Sequence, residues 1–142
     1  AQRCRGGIVV DAFCGAGGNS IQLAKLCDRV IAIDMDPEKI RMARHNAGVY
    51  GVSDKIEFMT GDYFEVMPTL QGQPVASVFL SPPWGGPTYK ENEVLDIRHM
   101  IVDGACAISA AAKVSPNVAA FLPKNSNVAH LVALGGMLTA AA

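Results

Sequence analysis

The sequence of 142 residues has little net charge and few aromatic residues. Twelve basic residues stand against 13 acidic ones, for a formal net charge of −1. A domain that binds a long stretch of nucleic acid through its phosphates has a clear basic excess, so the composition excludes that kind of binding for this segment. An aromatic content of 6% also argues against an all-β sandwich.

Cysteine is equally sparse. Cys4, Cys14, Cys27 and Cys106 form no C-x-x-C pair, and no histidine stands at zinc-ligand spacing from them, so we predict reduced thiols and no metal site. No apolar run approaches the ~18–20 residues of a membrane span, and no signal-peptide pattern begins the sequence. We therefore expect a soluble, intracellular protein without membrane contact.

Short apolar runs alternate with segments of helical period, and half of the residues are hydrophobic. This alternation predicts one α/β domain spanning 1–142, with a doubly wound, mostly parallel sheet and ligands at the carboxyl ends of its strands. The predicted strands are 7–12, 29–33, 55–59, 75–80, 118–122 and a sixth at 137–139. The predicted helices are 20–27, 37–50 and 103–113, with a last one from about residue 126 to Gly135-Gly136.

Helix caps follow from the residues before each helix. We expect Asn19 to cap the first helix, Asp36 the second, and Asn125 or Ser126 the last.

The first strand runs into a glycine-rich loop over residues 11–19. The dinucleotide motif G-x-G-x-x-G is broken because position 20 is serine, and Asp11 precedes the first glycine by four residues. A carboxylate is unfavourable beside a pyrophosphate, but it suits a ligand with an ammonium group, such as the methionine part of S-adenosylmethionine. The alternative is a tight strand-to-helix turn with no ligand.

Two further acids follow strands. Asp34 ends the second strand, where it can accept hydrogen bonds from ribose hydroxyls, and Asp62 ends the third, where it can accept from an adenine amine. Either acid alone is better explained as a solvated loop residue or a helix cap. Three acids at the ends of three successive strands favour the cofactor interpretation.

The fourth strand leads into Ser81-Pro82-Pro83-Trp84. The prolines remove two amide donors, so carbonyl acceptors dominate the loop, and an aromatic amine needs such acceptors. Trp84 offers a flat face on which a base can stack. The alternative is a proline-rich turn with its tryptophan in the core. His45, His99 and His130 fall outside these loops, and methyl transfer from a sulfonium requires no catalytic triad.

With these motifs in view, the chain resembles the trimethylguanosine synthase family, the RNA cap guanine-N2 methyltransferases. The resemblance spans about residues 3–138 and is carried by segments 9–19, 31–34, 55–58, 79–87 and 121–123. It implies a class I S-adenosylmethionine-dependent methyltransferase fold of the Rossmann-like type. It also implies conversion of the 7-methylguanosine cap of small nuclear and nucleolar RNAs to 2,2,7-trimethylguanosine, in the nucleus (nucleolus or Cajal bodies) and in the cytoplasm.

The resemblance assigns roles residue by residue. The cofactor, S-adenosylmethionine, and its product, S-adenosylhomocysteine, would be held by Asp11, Phe13, Cys14, Gly15, Gly17, Asn19, Asp34 and Asp62. The catalytic residues would be Ser81 and Pro82, which hold the N2 amine, and Trp84, which stacks on the cationic base. The substrate would further contact Pro83, Tyr89, Lys124 and Asn125, with Lys124 standing where the family has arginine.

Two departures from the family pattern matter. The family's helical extension before the first strand and its final strands are not in this sequence, so we expect a core truncated at both ends, with weak or no activity alone. The alternatives are another amine methyltransferase (adenine N6 or glutamine amide), a non-catalytic scaffold and, third, an NAD dehydrogenase.

Overall fold

A computed structural model describes residues 6–86 and 94–140, with side chains to residue 137. Strands and helices alternate along these ranges: β1 (Ile8–Ala12), α1 (Gly18–Ala24), β2 (Arg29–Asp34), α2 (Pro37–Val49), β3 (Ile56–Thr60), α3 (Tyr63–Val66), β4 (Val75–Leu80), α4 (Gly104–Ala112), β5 (Val118–Ala120) and α5 (Val128–Ala140). Short 3-10 helices occupy Ser53–Lys55, Met67–Leu70 and Ile97–His99.

The strands form one parallel sheet in the order β3-β2-β1-β4-β5. β1 lies in the middle and pairs with both β2 and β4. The strand order reverses between β1 and β4, which is where an open α/β sheet forms its ligand crevice. The predicted doubly wound parallel sheet is confirmed.

The core lies on both faces of this sheet. On one face Val9 packs with Ile21 of α1 and Ile40 of α2. On the other face Val10 packs with residues of α3 and α4, among them Ala107. Because successive side chains of a strand point to opposite faces, β1 needs apolar residues at nearly every position. Its one acid, Asp11, is therefore an exception to be explained.

The predicted cap of the first helix is wrong. α1 begins at Gly18 and its N-cap is Gly17, which has a φ of 86°. Asn19 is exposed and lies inside the first turn. A left-handed residue turns the chain sharply into the helix, and glycine adopts that conformation without a steric penalty. At α2 the prediction is confirmed, because the Asp36 side chain accepts from the amide of Glu38 at 2.9 Å.

The end of the chain also differs from the prediction. α5 begins at Val128, and the side chain of Asn127, rather than Asn125 or Ser126, accepts from the amide of His130 at 3.2 Å. The two predicted caps are engaged elsewhere: the carbonyl of Asn125 accepts from the amide of Leu95 at 2.7 Å, and Ser126 forms a parallel bridge with the same residue.

α5 continues through Gly135 and Gly136 to Ala140, so the predicted sixth strand at 137–139 is wrong. Glycine costs about 1 kcal/mol inside a helix but does not end one when alanine, leucine and methionine surround it. Smaller differences occur at two strands. β3 starts at Ile56, because Lys55 belongs to a 3-10 helix, and β5 ends at Ala120. Across the described ranges no helix has the length and apolarity to cross a membrane.

Candidate active site

The loop between β1 and α1 is held in an unusual backbone conformation. Phe13 has a φ of 64°. Among the described residues other than glycine, it is the one with a positive φ. The amide of Cys14 donates to the carbonyl of Ile33 at 2.8 Å, which ties the loop to the end of β2. At Gly17 a Cβ would lie 2.9 Å from the Cβ of Ala43 in α2. The loop therefore fits closely against two neighbouring elements, and only glycine fits at residue 17.

Asp34 fastens this loop from the end of β2. Its Oδ2 accepts from the amide of Gly15 at 2.8 Å, and its Oδ1 accepts from the amide of Asp36 at 3.0 Å. The residue is 7% exposed. A carboxylate has about four lone-pair positions, so two accepted bonds leave capacity for a ligand's hydroxyls.

Asp62 and Tyr63 begin α3 at the end of the next strand. Oδ1 of Asp62 caps the helix by accepting from the amide of Phe64 at 2.7 Å. The hydroxyl of Tyr63 donates to the carbonyl of Ala107 in α4 at 2.7 Å, and its ring centroid lies 4.7 Å from that of Phe13. Burial raises the pKa of Tyr63, so its hydroxyl remains a donor. Tyr63 thus connects α4 to the glycine-rich loop.

Ser81 joins the proline-rich segment to the same loop. Its amide donates to the carbonyl of Ala12 at 3.4 Å, and its hydroxyl donates to the carbonyl of Phe13 at 3.3 Å. Pro82 is buried and Pro83 is exposed. The segment that follows β4 is therefore bonded to the segment that follows β1.

Trp84 lies outside the central core. Its indole Nε1 donates to the carbonyl of Phe121 at 3.2 Å, and the two rings are tilted by 39° with centroids 5.0 Å apart. The indole is half-buried and packs on a separate cluster that includes Leu95, Ile97 and Met100. The ring is fixed in place beside an exposed aromatic residue, Phe121.

One cavity of about 230 Å³ opens where these loops meet. Six predicted site residues line it, from both motifs: Phe13, Gly15, Asp34, Asp62, Ser81 and Pro83. Its other lining residues are Ile33, Met35, Lys39, Gly61, Tyr63, Phe64, Ile101 and Val102. Sequence reasoning missed these. Met35 and Phe64 stand one and two residues after the predicted acids Asp34 and Asp62, and this closeness in sequence could have identified them. Ile101 and Val102 reach the cavity from a distant segment that carries no motif.

The remaining predicted residues are not on the wall of this cavity. They are Asp11, Cys14, Gly17, Asn19, Pro82, Trp84, Lys124 and Asn125. Burial raises the pKa of the Cys14 thiol to about 12, so this cysteine stays protonated. Lys124 is exposed beside Asn125. Tyr89 lies outside the described residues.

Asp11 is fully buried. Its Oδ2 accepts from the hydroxyl of Ser20 at 2.5 Å, and its Oδ1 has no hydrogen-bond partner within residues 6–86 and 94–140. Burial is the main cause that raises the pKa of Asp11 to about 7, and the charge of Asp34 adds to it. The predicted direct contact of this carboxylate with a ligand stays a prediction.

Comparison with known proteins bears on this geometry. A family model described as RNA cap guanine-N2 methyltransferase matches residues 6–141. The trimethylguanosine synthase of Schizosaccharomyces pombe is 42% identical over 134 residues, which cover 92% of this chain and 56% of that protein. That of Saccharomyces cerevisiae is 38% identical over 127 residues, which cover 87% of this chain and 40% of that protein. The chain thus spans about half the length of these relatives.

Two solved structures share the architecture. The precorrin 8W decarboxylase of Methanobacterium thermoautotrophicum has a TM-score of 0.52 and 30% identity, covering 57% of this chain and 42% of that one. The DhpI–SAH complex has a TM-score of 0.55 and 26% identity, covering 83% of this chain and 48% of that one. The resemblance drawn from the motifs is confirmed at the level of the family.

Proposed function

The chain belongs to the RNA cap guanine-N2 methyltransferase family, and we propose that it transfers methyl groups from S-adenosylmethionine to the exocyclic N2 amine of a 7-methylguanosine cap. One observation carries the proposal. Asp34 at the end of β2, Asp62 after β3, and Ser81 and Pro83 after β4 line a single cavity. A methyl donor and an amine can therefore meet there.

The cavity suits a nucleoside cofactor. Asp34 offers lone pairs to ribose hydroxyls, and Asp62 offers them to an adenine amine. Met35, Phe64 and Ile101 provide exposed apolar surface for the base. The DhpI structure, a complex with SAH, supports this assignment. The cofactor supplies a methyl group on a sulfonium, from which an amine can displace it.

Ser81 is oriented to receive the amine. Because its hydroxyl hydrogen is donated to the carbonyl of Phe13, the lone pairs of Oγ are available as acceptors. A guanine N2 amine that donates to Oγ, and to the carbonyl of Pro82, presents its nitrogen lone pair to the cofactor side of the cavity. Such alignment accounts for most of the rate gain expected of an in-line displacement. The methylated nitrogen then loses its proton to solvent, so no side chain needs to act as a base.

Trp84 supplies the stacking surface for the base. The bond from its indole nitrogen to the carbonyl of Phe121 fixes the ring. A 7-methylated guanine carries positive charge and gains cation–π attraction on an indole face in addition to stacking. Lys124, Asn125 and Tyr89 are proposed to contact the cap phosphates.

The finer assignment follows from the family resemblance. We propose capped small nuclear and nucleolar RNAs as substrates, 2,2,7-trimethylguanosine as product, and the nucleus (nucleolus or Cajal bodies) and cytoplasm as the places of action. The two yeast relatives are trimethylguanosine synthases by name, which supports the product. The net charge of −1 supports contact restricted to the cap rather than to the RNA body.

The chain contains one tryptophan, so its intrinsic fluorescence reports on the proposed cap site directly. A 7-methylguanosine cap dinucleotide should quench this fluorescence. In a longer version of the chain that carries the helical extension and the final strands, mass spectrometry after incubation with S-adenosylmethionine should show gains of one and two methyl groups, whereas the 142-residue core alone should show weak or no methylation. The unmethylated cap dinucleotide is the matched ligand control and should quench weakly.

Other outcomes would contradict the proposal. Quenching and methylation with adenosine or a glutamine peptide, but not with the 7-methylguanosine cap, would indicate another amine methyltransferase. If isothermal titration calorimetry detects no binding of S-adenosylmethionine by the longer version, the scaffold alternative is favoured.

A further inference from the structure

Asp11 and Ser20 form a hydrogen-bonded pair beneath the glycine-rich loop. Asp11 lies in β1, paired in the sheet with Ala32 and Phe79, and Ser20 lies in the first turns of α1. Both side chains are 0% exposed. Their bond of 2.5 Å therefore joins the two elements that the cofactor loop connects.

The charge around this pair is unbalanced. The charged group that acts on Asp11 is another acid, Asp34, and no salt bridge to Asp11 occurs in the described ranges. The basic Lys39, on the cavity wall, acts on the neighbouring Cys14, whose thiol remains neutral. Ser20 alone opposes these effects on Asp11, mainly through the hydrogen bond from its hydroxyl. A buried carboxylate with a free Oδ1 and no counter-ion is costly to ionise.

We propose that Asp11 releases a proton when the cationic cofactor binds, and that Ser20 is a positioning residue that sets the pH at which this happens. The inference rests on the proposed cofactor. S-adenosylmethionine brings an ammonium and a sulfonium to the end of the sheet where, among the described residues, neither Asp11 nor Asp34 forms a salt bridge. Its positive charge favours the ionised form of Asp11, so binding and deprotonation support each other.

The direction of the pH effect follows from linkage. In the ligand-free chain burial raises the pKa of Asp11 to about 7, and a bound cation lowers this pKa. Cofactor affinity is then full above pH ~7 and falls about tenfold for each pH unit below it. Between pH ~8 and pH ~6 the dissociation constant should rise about tenfold, with close to one proton released per ligand at the lower pH.

Isothermal titration calorimetry measures both quantities. S-adenosylmethionine and S-adenosylhomocysteine are titrated into the chain near pH 6, 7 and 8, each in two buffers of different ionisation enthalpy. The dependence of the heat on the buffer gives the number of protons released. The homocysteine product retains the ammonium and lacks the sulfonium, so a release common to both ligands assigns the effect to the ammonium.

Variants separate the pair from general stability. Ser20→Ala removes the hydroxyl that favours the ionised carboxylate, so the midpoint of the pH profile should move upward by about one pH unit. Ser20→Thr restores a hydroxyl and should return the midpoint towards that of the parent chain. Ser77→Ala is the matched control, because it removes a buried hydroxyl from β4 and should leave the midpoint unchanged. Asp11→Asn should abolish both the pH dependence and the proton release.

The outcomes are distinguishable. Equal affinity at pH ~6 and ~8 with no proton release would overturn the inference while the cofactor assignment stands. An unshifted midpoint in folded Ser20→Ala would overturn the role of Ser20. If that variant fails to fold, the parent chain and Asp11→Asn still decide whether Asp11 releases the proton. Ser20→Cys, which replaces the hydroxyl with a weaker thiol donor, then decides whether the hydroxyl sets the midpoint, because its midpoint should also move upward. Failure of both ligands to bind at any pH would overturn the inference together with the cofactor assignment.

Discussion

The amide nitrogen of Gly15 lies 2.8 Å from Oδ2 of Asp34. This bond makes an acid at the end of β2 hold the loop that follows β1, so the same carboxylate shapes the cavity and lines it. A ligand that binds to Asp34 therefore finds this part of the cavity wall already formed.

Replacement of Asp34 tests this double role. Asp34→Asn keeps one acceptor but removes the charge, and we expect the dissociation constant of S-adenosylhomocysteine to rise at least about tenfold. Asp28→Asn is the control. Asp28 also accepts a backbone amide, that of Gly7 at 2.9 Å, but precedes β2 at the opposite end of the sheet. Calorimetry that shows equal losses for the two variants would contradict a ligand role for Asp34.

Gly17 should tolerate no side chain. Gly17→Ala combines a φ of 86° with a Cβ placed 2.9 Å from that of Ala43. We expect the free energy of unfolding to fall by about 1–3 kcal/mol. Gly18→Ala, where a Cβ meets nothing within 4 Å, should change it by less than about 0.5 kcal/mol. Urea denaturation compares the two, and similar losses at both positions would refute the close approach of α2.

Replacement of Trp84 should weaken binding of the cap substrate and leave binding of the cofactor unchanged. Trp84→Ala removes one stacking face, worth about 1–3 kcal/mol, so cap affinity should fall by roughly 5- to 150-fold. Trp84→Phe keeps a ring but loses the donor to Phe121, and its affinity should be intermediate. Calorimetry with the 7-methylguanosine cap dinucleotide and with S-adenosylhomocysteine separates the two effects. A parallel loss of both affinities would point to a structural role.

The hydroxyl of Tyr63 and its ring should have separable effects. Tyr63→Phe removes the bond to the carbonyl of Ala107 and should lower the free energy of unfolding by about 1 kcal/mol, with cofactor affinity retained. Tyr63→Leu also removes the ring against Phe13 and should weaken cofactor binding. Tyr50→Phe, at an exposed position, is the control and should be neutral. Full cofactor affinity in Tyr63→Leu would show that the ring does not shape the cavity.

The buried acid should make the ligand-free chain less stable as pH rises. The pKa of Asp11 is raised from 3.8 to about 7 in the folded chain, so the folded state binds the proton more tightly than the unfolded state. Its contribution to stability is full below pH ~4 and is lost as pH rises from there through ~7, at about 1.4 kcal/mol for each pH unit. In denaturation experiments at pH ~5 and ~8, the free energy of unfolding of Asp11→Asn, relative to that of the parent chain, should be greater at the higher pH. The exposed Asp54→Asn should show no such gain, and an Asp11→Asn effect independent of pH would contradict the raised pKa.

Six residues that the sequence singled out line the candidate cavity, because the signals that mark them are local. An acid directly after an apolar run is predicted to lie at the carboxyl end of a strand, and so is Ser81-Pro82-Pro83. This prediction requires no knowledge of the rest of the fold. The parallel, doubly wound sheet followed from the same alternation. Asp36 was assigned to its helix because an aspartate followed by proline suits a helix start.

The features that the sequence did not predict depend on contacts between distant segments of the chain. Ile101 and Val102 line the cavity because of how the chain before α4 returns to the sheet, and no pattern marks them. Asn125 and Ser126 looked like caps, but their pairing with Leu95 uses them differently. Gly135-Gly136 looked like a helix end because sequence alone does not show whether a following segment has a strand to pair with.

The adjacency of β1 and β4 brings the two sequence motifs together. The segments leaving these two strands start one inter-strand spacing apart, about 4.8 Å, so ligands held by the two loops can contact each other. A strand inserted between them would double this gap and leave each motif intact in sequence but out of reach of the other. The order of the strands therefore matters to the proposed reaction as much as any side chain at their ends.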